Sequence, residues 1–198
     1  METGIVTFFD IKACGFYRLK KKADELEHKF GTLDDIFDSL QEWLKDKSVE
    51  ESIPWDTETH PLRSRTYSRG VAVDPDTKDR VIVMYRALGS AKGRLHAVKK
   101  NAPVGAAEHD TVKTETNGKD YIWVEPCYYW IIPEHNKIAS IIFPHSGADT
   151  PRLSKYIFNF VVNHCDFGRE KDTTSFTKAR SSCSEDDILI SKTVFKYV

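Results

Sequence analysis

The chain has 198 residues and a formal net charge of −1 at pH 7, with 40% hydrophobic and 30% charged residues. This composition is too apolar for a wholly disordered chain and too charged for a membrane protein, and the longest nearly apolar run, residues 128–133, is far shorter than the ~20 residues that a membrane helix needs. No signal-peptide pattern opens the chain and the four cysteines form no CxxC pair, so we expect a reduced, cytoplasmic protein without membrane insertion.

A strand and an amphipathic helix are the first elements that the sequence predicts. Residues 4–11 are rich in β-branched and aromatic side chains, which indicates a buried strand. Thr32 can cap a helix whose first turn carries Asp34 and Asp35, where acidic side chains suit the helix dipole. Apolar residues then recur at spacings of three and four over residues 33–44, so this helix packs one face on a core.

Two β-hairpins are predicted in the middle of the chain. The first joins residues 62–74 to 79–87 across an Asp-Pro-Asp-Thr-Lys-Asp turn. The second pairs residues 128–132 with 138–143 across the polar residues 134–137. The side chains that we expect to be buried in the second hairpin are Trp130, Ile132, Ile141 and Phe143.

The remainder of the chain adds a long loop, a second helix and a last strand. Residues 88–119 are interrupted by glycines and hold at most a short strand within 94–98, whereas Asp149 or Thr150 caps a helix that runs through Val162. Residues 1–168 are therefore predicted to form an α+β domain, a mainly antiparallel sheet of about five strands with two principal helices packed on one face. Residues 169–198 are a polar linker, exposed over 169–184, and then a strand that either pairs back or leads into a second domain.

Charge is strongly segregated along the sequence. Residues 24–58 contain twelve acidic residues against three lysines, a balance of −9, whereas residues 60–100 contain ten basic residues against three acidic ones, a balance of +7. One interpretation is a polyanion-binding face beside an acidic flank. The other is an internal match, in which the acidic helix lies against the basic hairpin of this protein or of a partner.

No catalytic or metal-binding pattern is specific enough to predict a reaction. His164 and Cys165 are the only close pair of zinc-type ligands, and Asp120, Glu125, Glu134 and Asp149 do not fall in a nuclease spacing. Cys127 could pair with His145 or His164 as a thiol and imidazole, but a lone cysteine in an aromatic strand is typically packed as a small apolar residue. We therefore predict no catalytic residues, no metal and no cofactor.

The best candidate site is the loop that follows the first hairpin. Its segment Gly-Ser-Ala-Lys-Gly-Arg, residues 89–94, lacks the Walker ending, but small residues allow the main chain to approach phosphates while basic side chains supply charge. The predicted nucleic-acid-binding residues are Arg86, Lys92, Arg94, Lys99 and Lys100. Binding of single strands would also need exposed aromatic rings, for which the candidates are Tyr121, Trp123, Tyr129 and Trp130.

The order of elements resembles a family of prokaryotic proteins. Three stretches carry the resemblance: Cys14-Gly15-Phe16-Tyr17 with the helix at 33–44, the run 128–132, and residues 141–144 leading into the helix at 149–160. These stretches are similar to the N-terminal part of RexA-type phage-exclusion proteins and related antiviral-defence proteins. The resemblance implies a non-enzymatic protein that binds DNA without sequence preference, as a homodimer and with a protein partner in anti-phage defence.

Three functional hypotheses follow from these observations. The first is a nucleic-acid-binding or sensing module, with DNA as its main ligand. The second is a protein-interaction module that docks a partner or a second copy through the acidic helix and the basic hairpin. The third is a divergent metal-dependent nuclease.

Overall fold

The protein folds as one antiparallel sheet with two helices. The computed structural model describes residues 3–19, 26–88, 96–105, 110–111, 121–165 and 188–197. The strands are β1 (Ile5–Leu19), β2 (Leu26–Phe30), β3 (Thr66–Val73), β4 (Arg80–Ala87), β5 (His96–Lys99), β6 (Asp110–Thr111), β7 (Tyr121–Ile132), β8 (Lys137–Ile142) and β9 (Ile188–Tyr197). The helices are α1 (Leu33–Leu44) and α2 (Thr150–His164), with short 3₁₀ turns at Glu50–Ser52 and Pro133–His135.

The strand order is β2-β1-β8-β7-β4-β3, and both predicted hairpins are present as β3–β4 and β7–β8. Phe9 and Asp10 pair with both β8 and β9, so β9 runs along the side of β1 opposite to β8. Val124 likewise pairs with both β4 and β5, which places these two strands on opposite sides of β7.

The α+β class and the antiparallel sheet are confirmed, but the prediction of about five strands was too low. The sheet contains nine strands over the described residues. The short strand predicted within 94–98 is β5, and the strand predicted near the end of the sequence, β9, pairs back along β1 from Phe9–Tyr197 to Leu19–Ile188. The short strands β2 and β6 carry no sequence pattern long enough to be recognised.

Both helices cover the same face of the sheet. Thr32 and Asp35 form a capping box at the start of α1, and Asp149 caps α2. The buried side chains of the two helices are Ile36, Phe37, Leu40, Leu44, Leu153, Tyr156, Ile157, Phe160 and Val161. They form one core cluster with Ile82, Tyr129 and Ile131 of the sheet. The register of β4 and β7 places these three side chains on the same face of the sheet. Neither helix is long and apolar enough to cross a membrane, as judged over the described part of the chain.

A second core cluster covers one end of the opposite face, where Tyr67, Tyr85 and Val124 of the sheet are buried with Val49. The other end of this face is open over the described residues. Cross-strand partners place Phe8, Trp130 and Val81 in one row of this face, and Phe8 and Val81 are 40% and 39% exposed. Of the four side chains expected to be buried, Ile132 is buried, but Trp130, Ile141 and Phe143 are only half-buried. That part of the prediction was wrong, because alternation along a strand does not show which faces a helix covers.

Candidate polyanion-binding surface

One part of the basic hairpin is neutralised within the protein by the acidic helix. Arg80, at the start of β4, is only 2% exposed, and its guanidinium pairs with Asp34 and Asp38 of α1. The Arg80 Nη2–Asp38 Oδ1 distance is 2.7 Å, and Nη1 also donates to the carbonyl of Lys78 at 3.0 Å. Arg80 therefore supplies no charge to an external polyanion, and the internal match considered from the sequence occurs at this residue.

Arg86 also has an acidic partner. It lies near the end of β4, and its Nη2 pairs with Glu125 Oε2 on β7, with 34% of the arginine side chain exposed. Glu125 is held against Gly147, where a Cβ atom would come within 2.7 Å of Glu125 Oε2. This predicted site residue is thus accessible, but a carboxylate offsets its charge.

The other predicted phosphate contacts are dispersed or outside the description. Lys99 is exposed at the end of β5, which β7 separates from Arg86. Lys100 is half-buried, and its carbonyl accepts a hydrogen bond from the backbone of Glu50 at 3.3 Å, which brings an acidic segment beside it. Lys92 and Arg94 lie outside the described residues, as does the segment 169–184.

A second group of basic side chains lies at the start of α2 and directly before β3. Arg63 and Arg65 precede β3, while Arg152 and Lys155 occupy the first turns of α2. Thr66 pairs with Arg86 across β3 and β4, and Arg152 Nη1 lies 3.4 Å from Thr66 Oγ1, so Arg86 and Arg152 lie on one face of the sheet. The Arg65 side chain lies on the other face, where it contacts Tyr67. We call the first surface the basic end; its members are Arg63, Arg86, Arg152 and Lys155.

Polar contacts hold two members of the basic end in place. Arg152 Nε donates to Asp149 Oδ2 at 2.8 Å, and its Nη1 donates to Ser64 Oγ at 2.8 Å. Arg63 Nη1 donates to Asn159 Oδ1 at 2.8 Å, and its guanidinium carbon lies 5.3 Å from the centre of the Trp55 ring. Of the described acids, Glu125 and Asp149 each pair with one arginine of the set, which leaves a surplus of two positive charges.

A small pocket lies within the basic end. Its volume is about 170 Å³. The lining residues are Trp55, Arg63, Ser64, Thr66, Asp149, Pro151, Arg152 and Lys155. Trp55 is 8% exposed, and its indole Nε1 is buried without a hydrogen-bond partner in the described part of the chain. The exposed acids Asp56 and Glu58 lie in the adjacent loop, where the backbone of Glu58 and the hydroxyl of Thr59 hold the pKa of Asp56 below its usual 3.8.

Sequence reasoning missed this cluster because its two halves are about ninety positions apart, as the contacts from Arg63 to Asn159 and from Arg152 to Ser64 show. Two local signals were present. Arg63 and Arg65 flank one serine directly before a strand, and Arg152 and Lys155 are three positions apart, which places them on one face of a helix. Neither signal alone identifies the neighbouring segment.

The thiol and imidazole pairs considered from the sequence are not formed. Cys127 is 2% exposed, and burial raises the pKa of its thiol to about 11. His164 stacks on Trp43 with ring centres 4.5 Å apart, and His145 is exposed in the turn before α2. Over the described ranges, no group of three or more histidine, cysteine, aspartate or glutamate side chains could hold a metal ion.

Comparison with protein-family models, with curated proteins and with solved structures finds no match to this chain. The similarity to RexA-type proteins therefore stays a prediction, and the arguments that follow rest on the chain's own residues.

Proposed function

We propose that the protein is a non-enzymatic module that binds nucleic acid, DNA above all, without sequence preference. The observation that supports this proposal is the basic end, where four cationic side chains lie with two paired acids. They come from the segment before β3, the end of β4 and the start of α2. Arginine, lysine and hydroxyl side chains on such a surface are typical of contacts to phosphates. These contacts carry no base information, so the binding is non-specific.

The biological role that we attach to this activity is anti-phage defence in a prokaryotic cytoplasm, with a protein partner and a homodimeric state. The RexA-type order of elements is its support.

A protein-interaction module is the second candidate, because of the open face of the sheet. Val6, Phe8 and Val81 are 47%, 40% and 39% exposed on this face, beside the half-buried Tyr128 and Trp130. Contiguous exposed apolar side chains are typical of surfaces that a partner covers. The acidic helix is a weaker docking surface than the sequence indicates, because Asp34 and Asp38 already bind Arg80.

The test of DNA binding is a fluorescence-anisotropy titration of a labelled duplex at several salt concentrations. The variant R63A/K155A removes two exposed cations of the basic end. Its matched control, K12A/K45A, removes two exposed lysines elsewhere. Each lost phosphate contact flattens the slope of log K against log salt by about 0.9, so the first variant loses up to about 1.8 of the slope.

A third variant distinguishes the basic end from the loop that the sequence favoured. It replaces Lys92, Arg94, Lys99 and Lys100 by alanine; if these side chains make four contacts, their loss flattens the slope by about 3.6. We expect each cluster variant to weaken binding by a similar factor on unrelated sequences, while the control retains the wild-type slope. Absence of wild-type binding at about 50 mM salt, or equal effects of the control and both cluster variants, would refute the proposal and bring the interaction module to first place.

A further inference from the structure

We infer that the pocket inside the basic end binds a terminal phosphate monoester, an inference that rests on the proposed function. Three cationic side chains and the hydroxyls of Ser64 and Thr66 line this pocket. A nucleic acid presents such a group at a phosphorylated strand end. A free nucleotide presents the same group, and the experiment below separates the two sources.

The charge of the lining fits a dianion better than a backbone phosphate. Arg63, Arg152 and Lys155 contribute three positive charges and Asp149 one negative charge, so the pocket carries a surplus of two. A phosphate monoester carries about −1.5 to −2 at pH 7, as phosphorylated side chains do, whereas a phosphodiester carries only one charge. The pocket therefore matches the terminal group more closely than it matches the internal phosphates of a strand.

The donors of the pocket are already oriented. Asp149 and Ser64 fix the Arg152 guanidinium from two sides, and Nη1 also lies 3.4 Å from the hydroxyl of Thr66, which is 1% exposed. Asn159 holds Arg63 over the Trp55 ring. A planar guanidinium that is held in this way can bind a phosphate with little further loss of side-chain freedom.

The size of the cavity limits the ligand. Its volume of about 170 Å³ lies below the range of pockets that enclose drug-sized molecules. It therefore suits a phosphate group and not a whole nucleotide.

The experiment compares two duplexes of one sequence that differ only in a 5′-phosphate or a 5′-hydroxyl at the blunt ends. Charge-assisted hydrogen bonds of this kind predict at least about tenfold tighter binding of the phosphorylated duplex. We expect K155A and R63A each to reduce this ratio severalfold. K45A, which removes an exposed lysine on α1's C-terminal side, is the control and should retain the wild-type ratio.

The outcomes separate this inference from the proposed function. Binding of both duplexes with equal affinity refutes the phosphate site and leaves DNA binding intact, whereas binding of neither refutes both. A ratio that K45A lowers as much as K155A shows a general charge effect and also refutes the site. A competition experiment then separates the two sources of the phosphate group. If a nucleoside 5′-monophosphate competes at micromolar concentration and inorganic phosphate at the same concentration does not, the ligand is the free nucleotide. If neither competes, the ligand is the phosphorylated strand end.

Discussion

Arg80 forms ion pairs with two carboxylates of α1, and we expect the loss of the carboxylates to cost more stability than the loss of the arginine. Arg80 is 2% exposed, but Asp34 and Asp38 are 51% and 66% exposed. Burial opposes the charged form of Arg80, and the hydrogen bonds from Asp38 and Asp34 outweigh it, so that the pKa of Arg80 is raised. Removal of the carboxylates leaves a buried cation, whereas removal of the arginine leaves two solvated anions.

The magnitudes follow from this asymmetry. Loss of the partners of a buried charge costs about 3–5 kcal/mol, and replacement of the buried ion by an apolar residue of similar volume is often close to neutral. We therefore expect D34N/D38N to lower the free energy of unfolding by about 3 kcal/mol, and R80M by less than about 1 kcal/mol. With a urea slope of about 1–3 kcal/mol/M, the double variant shifts the midpoint by about 1–3 M.

The assay is equilibrium unfolding in urea, with the slope m checked for each variant. The control is D34N/D38N in the R80M background, which measures what the two carboxylates contribute in the absence of Arg80. Of the two, only Asp34 lies in the first turn of α1, so its interaction with the helix dipole should contribute about 0.3–1 kcal/mol and that of Asp38 little. A loss from R80M that equals or exceeds the loss from D34N/D38N would contradict the reasoning, because the cost would then lie in packing and not in an unpaired charge.

Two further predictions concern the capping box and a buried thiol. The hydroxyl and backbone of Thr32 hold the pKa of Asp35 below its usual 3.8, and T32A should lower the free energy of unfolding by about 1 kcal/mol at pH 7. A depressed pKa in the folded state stabilises the protein above the unfolded-state pKa and loses this effect as the pH falls through the folded-state value. In urea titrations the difference between T32A and the wild type should therefore shrink as the pH falls below 3.8. Burial raises the pKa of Cys127 to about 11, so at pH 8 an aromatic disulfide reagent should modify Cys127 at least about a hundredfold more slowly in the folded protein than in urea, as measured by peptide mass mapping. Equal rates would show that the thiol is exposed.

Local sequence rules predicted the elements that carry strong local patterns. The stripe in α1, its Thr32 cap, the Asp149 cap of α2 and the two hairpin turns all appear where the pattern places them. Periodicity and capping depend on neighbours within a few residues, so a sequence reveals them directly. The short strands β2 and β6 span only five and two residues, which is too few for a recognisable period.

Burial was harder to predict than secondary structure, as the second hairpin shows. Tyr129 is buried and Trp130 is only half-buried, although both lie in the same aromatic run. The difference arises because the helices cover the face of the sheet on which Tyr129 lies. The hydroxyl oxygen of Tyr129 accepts a hydrogen bond from the backbone N–H of Asp149 at 2.9 Å. An aromatic run without alternating polarity does not indicate which of its two faces is covered.

The distribution of charge shows why counting along a sequence gives an incomplete site. Residues 60–100 carry a balance of +7, but Arg80 is neutralised by the acidic helix and Arg86 is paired with Glu125. The fold instead brings Lys155 of the distant helix α2 beside Arg63, while Arg152 of the same helix is itself paired with Asp149. A cation contributes to the binding of a polyanion only to the extent that no internal carboxylate already holds it, so the charge that matters is the charge left unpaired on the folded surface. For this reason R63A/K155A, and not a variant of Arg80, is the substitution that tests the proposed function.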